Sequence, residues 1–125
     1  MLSALENGID QIEQTNYPPH NIYRTSEDDF HIEIATAGFS SEEIDISVEK
    51  SELKVTGTKP ENTEEEGRTF LHRGIGLRNF RRSYRLGEYV VVQGAEMSDG
   101  ILTIHLTREL PDEAKPRKVD ISTPN

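Results

Sequence analysis

The residues best suited to chemistry in this sequence are four histidines and several groups of adjacent acidic residues, among them Glu42–Glu43 and Glu64–Glu66. No histidine follows another at the spacing of a metal site, and two of them, His31 and His105, fall on the polar faces of predicted strands. These two acidic groups lie in predicted turns or loops without the apolar surroundings that favour acid catalysis. Both patterns indicate solvated side chains. The histidines are His20, His31, His72 and His105.

Motifs for nucleotide binding and nucleophilic catalysis are also missing from the sequence. There is no Gly-Lys pair, hence no P-loop that could cradle a triphosphate. The segment GIGLRN, residues 74–79, begins like a dinucleotide loop, but it lacks the third glycine and precedes a predicted strand instead of a helix. No Gly-x-Ser-x-Gly elbow and no cysteine is present. We therefore predict that the protein is not an enzyme and takes no cofactor or metal.

The strongest local charge feature is a cluster of arginines between residues 68 and 85. An RNA-binding surface would interleave aromatic residues on the same face, but Phe80 and Tyr84 occupy the face that the pattern assigns to the core. The formal net charge of -9 also opposes phosphate binding. We predict no nucleic acid partner, and arginines that form ion pairs within or between subunits. The cluster comprises Arg68, Arg73, Arg78, Arg81, Arg82 and Arg85.

Length and composition are those of one domain with short tails. The chain has 125 residues, of which 33% are hydrophobic and 30% are charged. Because the core that these residues can form is modest, self-association is expected to bury further surface. No apolar run approaches the ~20 residues that cross a membrane, and no basic segment followed by an apolar one resembles a signal peptide. We expect a cytoplasmic protein without stable membrane insertion.

The body of the chain alternates apolar and polar residues with a period of two, which is typical of half-buried strands. A short polar link between Val48 and Leu53 predicts a hairpin, and Ser98–Gly100 is a tight-turn signal. About seven or eight short strands at intervals of roughly 8–12 residues predict an all-β fold, an antiparallel immunoglobulin-like sandwich. The clearest runs are residues 30–34, 44–48, 53–55, 80–86, 89–97 and 102–106, with Arg82 intruding on the apolar face of its strand.

Three segments flank or interrupt these strands. Apolar residues spaced three or four apart between Leu2 and Ile12 predict a short amphipathic helix, which Pro18 and Pro19 end. Residues 59–67 are charged and form a predicted loop, followed by a weak strand at residues 69–73. We expect a helical or flexible arm at residues 1–16, the sandwich domain at 17–110 and an extended tail at 111–125.

The tail carries two β-branched apolar residues, Val119 and Ile121, in otherwise polar sequence. Residues at positions i and i+2 lie on one face of an extended chain, so this pair can plug into a surface. Pro111 and Pro116 form a hinge before it. The tail is therefore predicted to dock.

From about Tyr17 to Ile121 the chain resembles the small heat-shock proteins, with their α-crystallin domain and C-terminal tail, and most of all the bacterial inclusion-body-binding type. The matching stretches are YPPHNIY, AGFSSEEIDISVEKSELKVTG, RNFRRSYRL and AEMSDGILTIHL. The family signature of Ala, a polar spacer and Gly-apolar-Leu is present as Ala95, Gly100, Ile101 and Leu102. The tail motif of the family is present as Val119-Asp120-Ile121.

This resemblance implies an ATP-independent holdase, which captures unfolding proteins and keeps them refoldable by other, ATP-dependent chaperones. It implies a β-sandwich dimer, in which a strand of the long loop is exchanged with the partner subunit. A weakly apolar strand between a charged loop and Gly74 and Gly76 has little reason to pair within its own chain. The exchanged strand would be Thr69, Phe70, Leu71, His72 and Arg73.

The resemblance also implies higher oligomers, in which the tail adds to the edge of a neighbouring subunit. Val119 and Ile121 would fill a groove there, and their burial would contribute roughly 3–6 kcal/mol before ordering costs. An empty groove would be an apolar edge able to accept a client segment. Arg85 matches an arginine that the family uses at subunit contacts. The groove residues would be Ile44, Ile46, Val48, Val91, Ala95 and Met97.

Two departures from the family pattern bear on these expectations. Gly87 stands where family members often have proline, which alters a turn. The arm has no Phe or Trp before Tyr17 and is short, which suggests a truncated chain that forms a dimer or small oligomer.

A second hypothesis is a co-chaperone-type sandwich that acts as an adaptor for one specific partner. Such domains lack the tail motif, so Val119-Asp120-Ile121 favours the holdase.

Overall fold

The computed structural model describes residues 8–12, 16–60, 67, 69–76, 78–111 and 116–123. Within these ranges the chain forms eight strands, and a 3₁₀ turn at Ser41–Glu43 precedes the fourth. The strands are β1 (Ile9–Gln11), β2 (His20–Arg24), β3 (Asp29–Ala35), β4 (Ile44–Glu49), β5 (Glu52–Gly57), β6 (Phe80–Leu86), β7 (Val90–Ser98) and β8 (Ile101–Arg108).

The strands make two antiparallel sheets of four, in the orders β1-β6-β5-β4 and β2-β3-β8-β7. Alternate residues of β3, β5 and β8 are buried between the sheets, as the period of two predicts. Each fully buried Leu or Ile contributes about 1.5–3 kcal/mol relative to its exposed state. The predicted all-β antiparallel sandwich is confirmed. The central residues of this core are Phe30, Ile32, Ile34, Leu53, Val55, Leu102, Ile104 and Leu106.

Two tight hairpins fix the register of the strands that they join. The β4–β5 turn is made by Lys50 and Ser51, with φ angles of 50° and 66°. The β7–β8 turn is made by Asp99 and Gly100, with φ angles of 54° and 78°. Positive φ at both central residues matches the right-handed twist of paired strands, so these two-residue loops bring the strands together in phase. Both predicted hairpin turns are confirmed.

The beginning of the chain corrects the prediction of a helical arm. Ile9–Gln11 is a strand that pairs antiparallel with β6, and Ile9 lies opposite Leu86 with only 2% of its surface exposed. The N–H of Gly87 donates to the Gly8 carbonyl at 2.6 Å and extends this pairing. The edge of β6 offers hydrogen-bond partners to the backbone of this segment. Pairing with β6 is therefore favoured over the helix that the spacing of the apolar side chains predicts. This part of the arm therefore belongs to the sandwich, while the first seven residues lie outside the described ranges.

A cluster of polar contacts joins the two sheets between β6 and the entry to β2. Arg82 is 1% exposed, and its Nε and Nη2 both donate to the carbonyl of Pro18, the former at 3.0 Å. Nδ1 of His20 lies 2.7 Å from the Tyr84 hydroxyl. Because β6 thus faces β2, counting outward along each sheet places β4 opposite β8, with β7 as the outermost strand of the other sheet on the same side. This arrangement positions the candidate site.

The partner of Arg82 differs from the ion pair that its residue type predicts. Its acceptor is a neutral carbonyl, and among the described residues Nη1 has no hydrogen-bond partner. A buried carbonyl that loses its donor costs free energy, and so does the cavity left by a long side chain. Arg82 therefore holds the Pro18 segment against β6.

Arg82→Ala should lower the free energy of unfolding by roughly 2–4 kcal/mol, because it removes both the donors and the packed side-chain stem. Urea denaturation at fixed protein concentration measures the change. Arg81→Ala, on an exposed face of the same strand, is the matched control and should cost less than about 1 kcal/mol, as expected for an arginine with surface contacts only. Equal effects of the two substitutions would contradict this account of Arg82.

His20 should make stability depend on pH. Burial, and next the nearby Arg82 charge, lower the pKa of His20 below its ordinary value of 6.5. The unfolded chain therefore binds the proton first as the pH falls, and the free energy of unfolding decreases from about pH 6.5 down to the lower pKa of the folded state. Urea titrations between about pH 7.5 and 5.5 should show a smaller loss in His20→Gln. His72→Gln, an exposed histidine, should leave the wild-type slope; a slope unchanged by His20→Gln would refute the assignment.

Candidate functional site

The candidate site is the margin formed by the outer strands β4 and β7, hereafter the β4–β7 margin. Each is the last strand of its sheet, so one side of its backbone has no strand partner among the described residues. Val48 is 49% exposed, Ile46 and Ala95 are also exposed, and Ile44 and Met97 are half-buried against the core. An apolar surface beside unpaired backbone groups is the arrangement to which an extended peptide can add.

The register explains why apolar side chains are exposed at β4. Ile46 lies opposite Val55 and Val48 lies opposite Leu53, and both of these β5 partners are fully buried. Residues that are paired across two strands point to the same face of the sheet. Ile46 and Val48 therefore point toward the interior, but at the margin nothing in the described chain covers them.

A bulge in β7 changes which of its residues belong to the margin. Met97 pairs with Leu102 and Ala95 with Ile104, so both point inward. The register shifts between Val92 and Gly94, where β7 has one extra residue. Before this bulge the inward residue is Val92, which is half-buried and packs against the core.

The assignment of Val91 to the groove is therefore corrected. Val91 pairs with Thr107, whose side chain lies on the outer face of the sheet, so Val91 points away from the groove. At this level of the strand Val92 is the inward residue, since it pairs with Leu106. Strict alternation counted from Met97 back to Val91 predicts that Val91 points inward. The extra residue of the bulge shifts the alternation by one position, so that before the bulge the neighbouring residue points inward. Gly94 inside the run was the available sequence signal.

The tail of the described chain does not dock on its own domain. Residues 116–123 contain no strand, and Val119 and Ile121 are 70% and 89% exposed. The exposed Val119 and Ile121 are two positions apart, which is also the spacing of inward-pointing residues along an outer strand. Docking of this tail on a second copy stays a prediction.

The segment predicted to be exchanged, Thr69–Arg73, pairs with no strand of its own chain within the described ranges. Leu71 is fully exposed, and Phe70 carries the Arg73 guanidinium 4.7 Å from its ring centroid. A strand that pairs only with a partner subunit would lie unpaired in a single chain. The exchange itself stays a prediction.

The arginine cluster is used mainly for packing within the chain. Arg78 lies 4.3 Å from the ring centroid of Tyr17, and Arg73 and Arg82 contact Phe70 and Pro18 as described above. Arg85 is exposed on β6, in register with Asp10 of β1 and Glu52 of β5. Acidic residues of its own chain thus flank Arg85, and its role at a subunit contact stays a prediction. Arg68 lies outside the described residues.

One polar cluster was missed by reasoning from the sequence. Pairing of β3 with β8 puts His31 beside His105, with their Nδ1 atoms 3.0 Å apart. The sequence predicted two separate exposed imidazoles, since the order of strands in a sheet is not readable from alternation. No group of three or more potential metal ligands occurs in the described part of the chain. In the same ranges, no helix is long and apolar enough to cross a membrane.

The sheet orders, the open β4–β7 margin and the exposed Val-x-Ile tail define an α-crystallin-type β-sandwich. The chain belongs to the Hsp20/alpha crystallin family, whose model matches residues 22–122. The resemblance noted from the sequence motifs is confirmed, and membership places the protein among the small heat shock proteins, a family of chaperones.

Bacterial small heat shock proteins are similar to this chain along most of its length. Small heat shock protein HspB of Bradyrhizobium diazoefficiens is 47% identical over 109 residues, which cover 87% of this chain and 69% of that protein. Small heat shock protein IbpA of Serratia proteamaculans is 37% identical over 121 residues, with 97% and 86% covered.

Solved structures give the same fold. A small heat shock protein from Synechococcus phage S-ShM2 matches with a TM-score of 0.67 at 30% identity, covering 84% of this chain and 99% of that one. A C-terminally truncated form of small heat shock protein AgsA from Salmonella typhimurium matches with a TM-score of 0.67 at 26% identity, covering 82% and 96%.

Proposed function

We propose that the protein is an ATP-independent holdase, which binds unfolding proteins and prevents their irreversible aggregation. The observation that carries this proposal is the β4–β7 margin, where Ile46 and Val48 point inward and are nevertheless exposed. An unfolding protein exposes extended apolar segments, and such a segment can add its backbone to an outer strand while its side chains cover these residues. Neither step consumes a nucleotide.

We infer that the tail of a second copy is the competing occupant of the same margin. Val119 and Ile121 are two positions apart, as are Ile46 and Val48 on β4 and Ala95 and Met97 on β7. Two such side chains contribute roughly 3–6 kcal/mol before ordering costs, so one tail is a weak ligand. Several tails in one assembly act together, so the oligomer is stable although each tail dissociates easily and subunits can exchange. A client displaces tails one at a time.

The dimer is proposed to form at the opposite margin, through exchange of Thr69–Arg73. The acceptor that fits is β2, the other outer strand of its sheet. Ile22 pairs with the buried Ile32 and so points inward, but it is exposed, and a shallow depression lies beside it. Phe70 and Leu71 point to opposite faces of an extended strand, so one of the two, from a partner, would cover this surface. Held clients would then pass to ATP-dependent refolding chaperones.

Val119→Ala with Ile121→Ala should reduce the mass of the assembly at least about twofold, because the docking side chains are lost. Multi-angle light scattering measures the mass, and circular dichroism should show an unchanged β-sheet spectrum. The matched control is Lys118→Ala with Asp120→Ala, which alters the other face of the tail and should assemble as the wild type does. Equal masses for the two double variants would rule out docking by the apolar pair.

Holdase activity should appear as suppressed light scattering when a heat-labile enzyme is warmed with this protein, at up to one chain per client and without nucleotide. Added ATP should change nothing. Val48→Ser should weaken suppression, since it removes apolar surface from the margin. The adaptor hypothesis predicts instead no suppression and one stoichiometric partner in a pulldown, and that outcome would replace the holdase.

A further inference from the structure

Three aromatic rings and two cations form a column at the base of the long loop between β5 and β6, hereafter the aromatic column. Phe80 lies in the middle, and its ring centroid is 5.3 Å from that of Phe39 and 6.2 Å from that of Tyr17. Both ring pairs are edge-to-face, with interplanar angles of 89° and 82°. Lys59 Nζ lies 5.5 Å from the ring centroid of Phe39, and the Arg78 guanidinium lies 4.3 Å from that of Tyr17. These separations are those of favourable aromatic and cation–π contacts.

The two cations of the column stand at the two ends of the loop. Lys59 follows the last residue of β5 by two positions, and Arg78 precedes the first residue of β6 by two. The backbone N–H of Lys59 donates to Asn79 Oδ1 at 2.8 Å, which joins the outgoing chain to the returning chain. The backbone N–H of Arg78 donates to the Tyr17 hydroxyl at 3.4 Å. The loop therefore leaves and re-enters the sandwich at one fixed place.

The Lys59 end of the column is fastened to the connection between β3 and β4. Lys59 Nζ donates to the Gly38 carbonyl at 3.0 Å and to Glu43 Oε1 at 2.9 Å. Hydrogen bonds from the Ser40 backbone and then from Lys59 lower the pKa of Glu43 below its ordinary value, so this carboxylate stays ionised at neutral pH. The side chain of Lys59 is thus held from three sides, by a ring, a carbonyl and a carboxylate.

The Arg78 end of the column connects the segment proposed for exchange to the strand proposed to accept it. Only residues 74–77 separate Arg78 from Thr69–Arg73, and such a limb spans at most about 18 Å. Tyr17 lies three positions before the first residue of β2. The contact between Arg78 and Tyr17 therefore fixes the start of the donated limb relative to the accepting strand of the same chain.

Two-fold symmetry makes this fixed relation matter for assembly. A symmetric dimer contains two exchanges, one in each direction. The first exchange brings separate chains together, whereas the second joins parts of one complex and depends on their effective concentration. That concentration is high when the donated segment and the accepting strand of each chain are held at the separation that the two-fold axis requires. A limb that is free at its base would lower it.

We propose that Arg78 and Tyr17 are positioning residues for strand exchange, and that the aromatic column holds the donated limb and β2 in the geometry in which two exchanges close one dimer. The inference rests on the proposed exchange of Thr69–Arg73 with a second copy of this chain. When the column is loosened, the first exchange still forms, but the second closes less readily. One donated segment and one β2 edge are then left over, and a third chain can bind them.

Native mass spectrometry of the full chain carrying Val119→Ala and Ile121→Ala tests closure, because this background lacks tail docking. Closed dimers should dominate it. Arg78→Gln removes the cation from the Tyr17 ring and should raise the share of odd-numbered assemblies above the monomer at least about threefold. Arg78→Lys keeps a cation over the ring and should recover closed dimers in part. Arg81→Gln removes an arginine charge outside the column and should leave the distribution unchanged.

Analytical ultracentrifugation of a dilution series on the same background measures the dimer dissociation constant. Each dimer contains two columns, so Arg78→Gln should raise this constant about 5–30-fold, and Arg81→Gln should not. Tyr17→Leu removes the other half of the contact and should give a similar rise, and combining it with Arg78→Gln should add little. Equal constants for Arg78→Gln and Arg81→Gln would overturn the proposal. More monomer without odd-numbered assemblies would also overturn it, since Arg78 would then act on affinity and not on closure.

Failure of the proposed function is recognisable separately. If the background variant is monomeric at every concentration, strand exchange fails and the positioning role fails with it. NMR still decides whether the column itself exists, because the ring signals of Tyr17 should shift in Arg78→Gln and stay in place in Arg81→Gln. If closed dimers form equally well in both arginine variants, the positioning role is refuted, whereas strand exchange and the holdase proposal stand.

Discussion

The backbone hydrogen bonds of outer strands are the constraint on which this molecule depends. A sandwich of two open sheets has four outer strands, and each leaves a row of N–H and C=O groups along one side. The chain covers the β6 side with its own first strand, only three residues long. At β4, β7 and β2 it leaves exposed apolar side chains beside backbone that pairs with no further strand in the part of the chain that the structure describes. The chain has few apolar residues, and some of them lie exposed at the margins of its sheets. Apolar surface that one chain leaves exposed in this way can be covered by a second chain.

The parts of the fold that alternation determines could be predicted from the sequence. The runs around Phe30, Leu53 and Leu102 were identified as strands because their inward faces are buried against the opposite sheet. The β7–β8 turn follows from Asp99-Gly100, whose φ angles suit few other residue pairs. These features depend on neighbours in sequence, so local pattern is enough to find them.

The features that were missed depend on distant partners or on one extra residue. Ile9 has helical spacing, but its strand conformation is decided by β6, more than seventy residues away. The pairing of His31 with His105 requires the strand order, which no local pattern contains. The alternation placed Arg82 on the core face of its strand. Its hydrogen-bond acceptor could not be predicted, because it is a backbone carbonyl and every residue type has one. Val91 was assigned the inward position that Val92 occupies, because the bulge reversed the alternation.

That bulge has an evolutionary consequence. Residues after Gly94 keep Glu96 outside and Met97 inside only because one extra residue precedes them. Deletion of a single residue there would shift the alternation of one part of β7 relative to the other. Either Val92 would then point away from the core or Met97 would point away from the margin. Length changes in this strand are therefore tolerated only as compensating pairs, whereas substitutions that preserve length are free to alter the chemistry of either face. Family members should diverge in β7 by replacement and hardly ever by insertion or deletion.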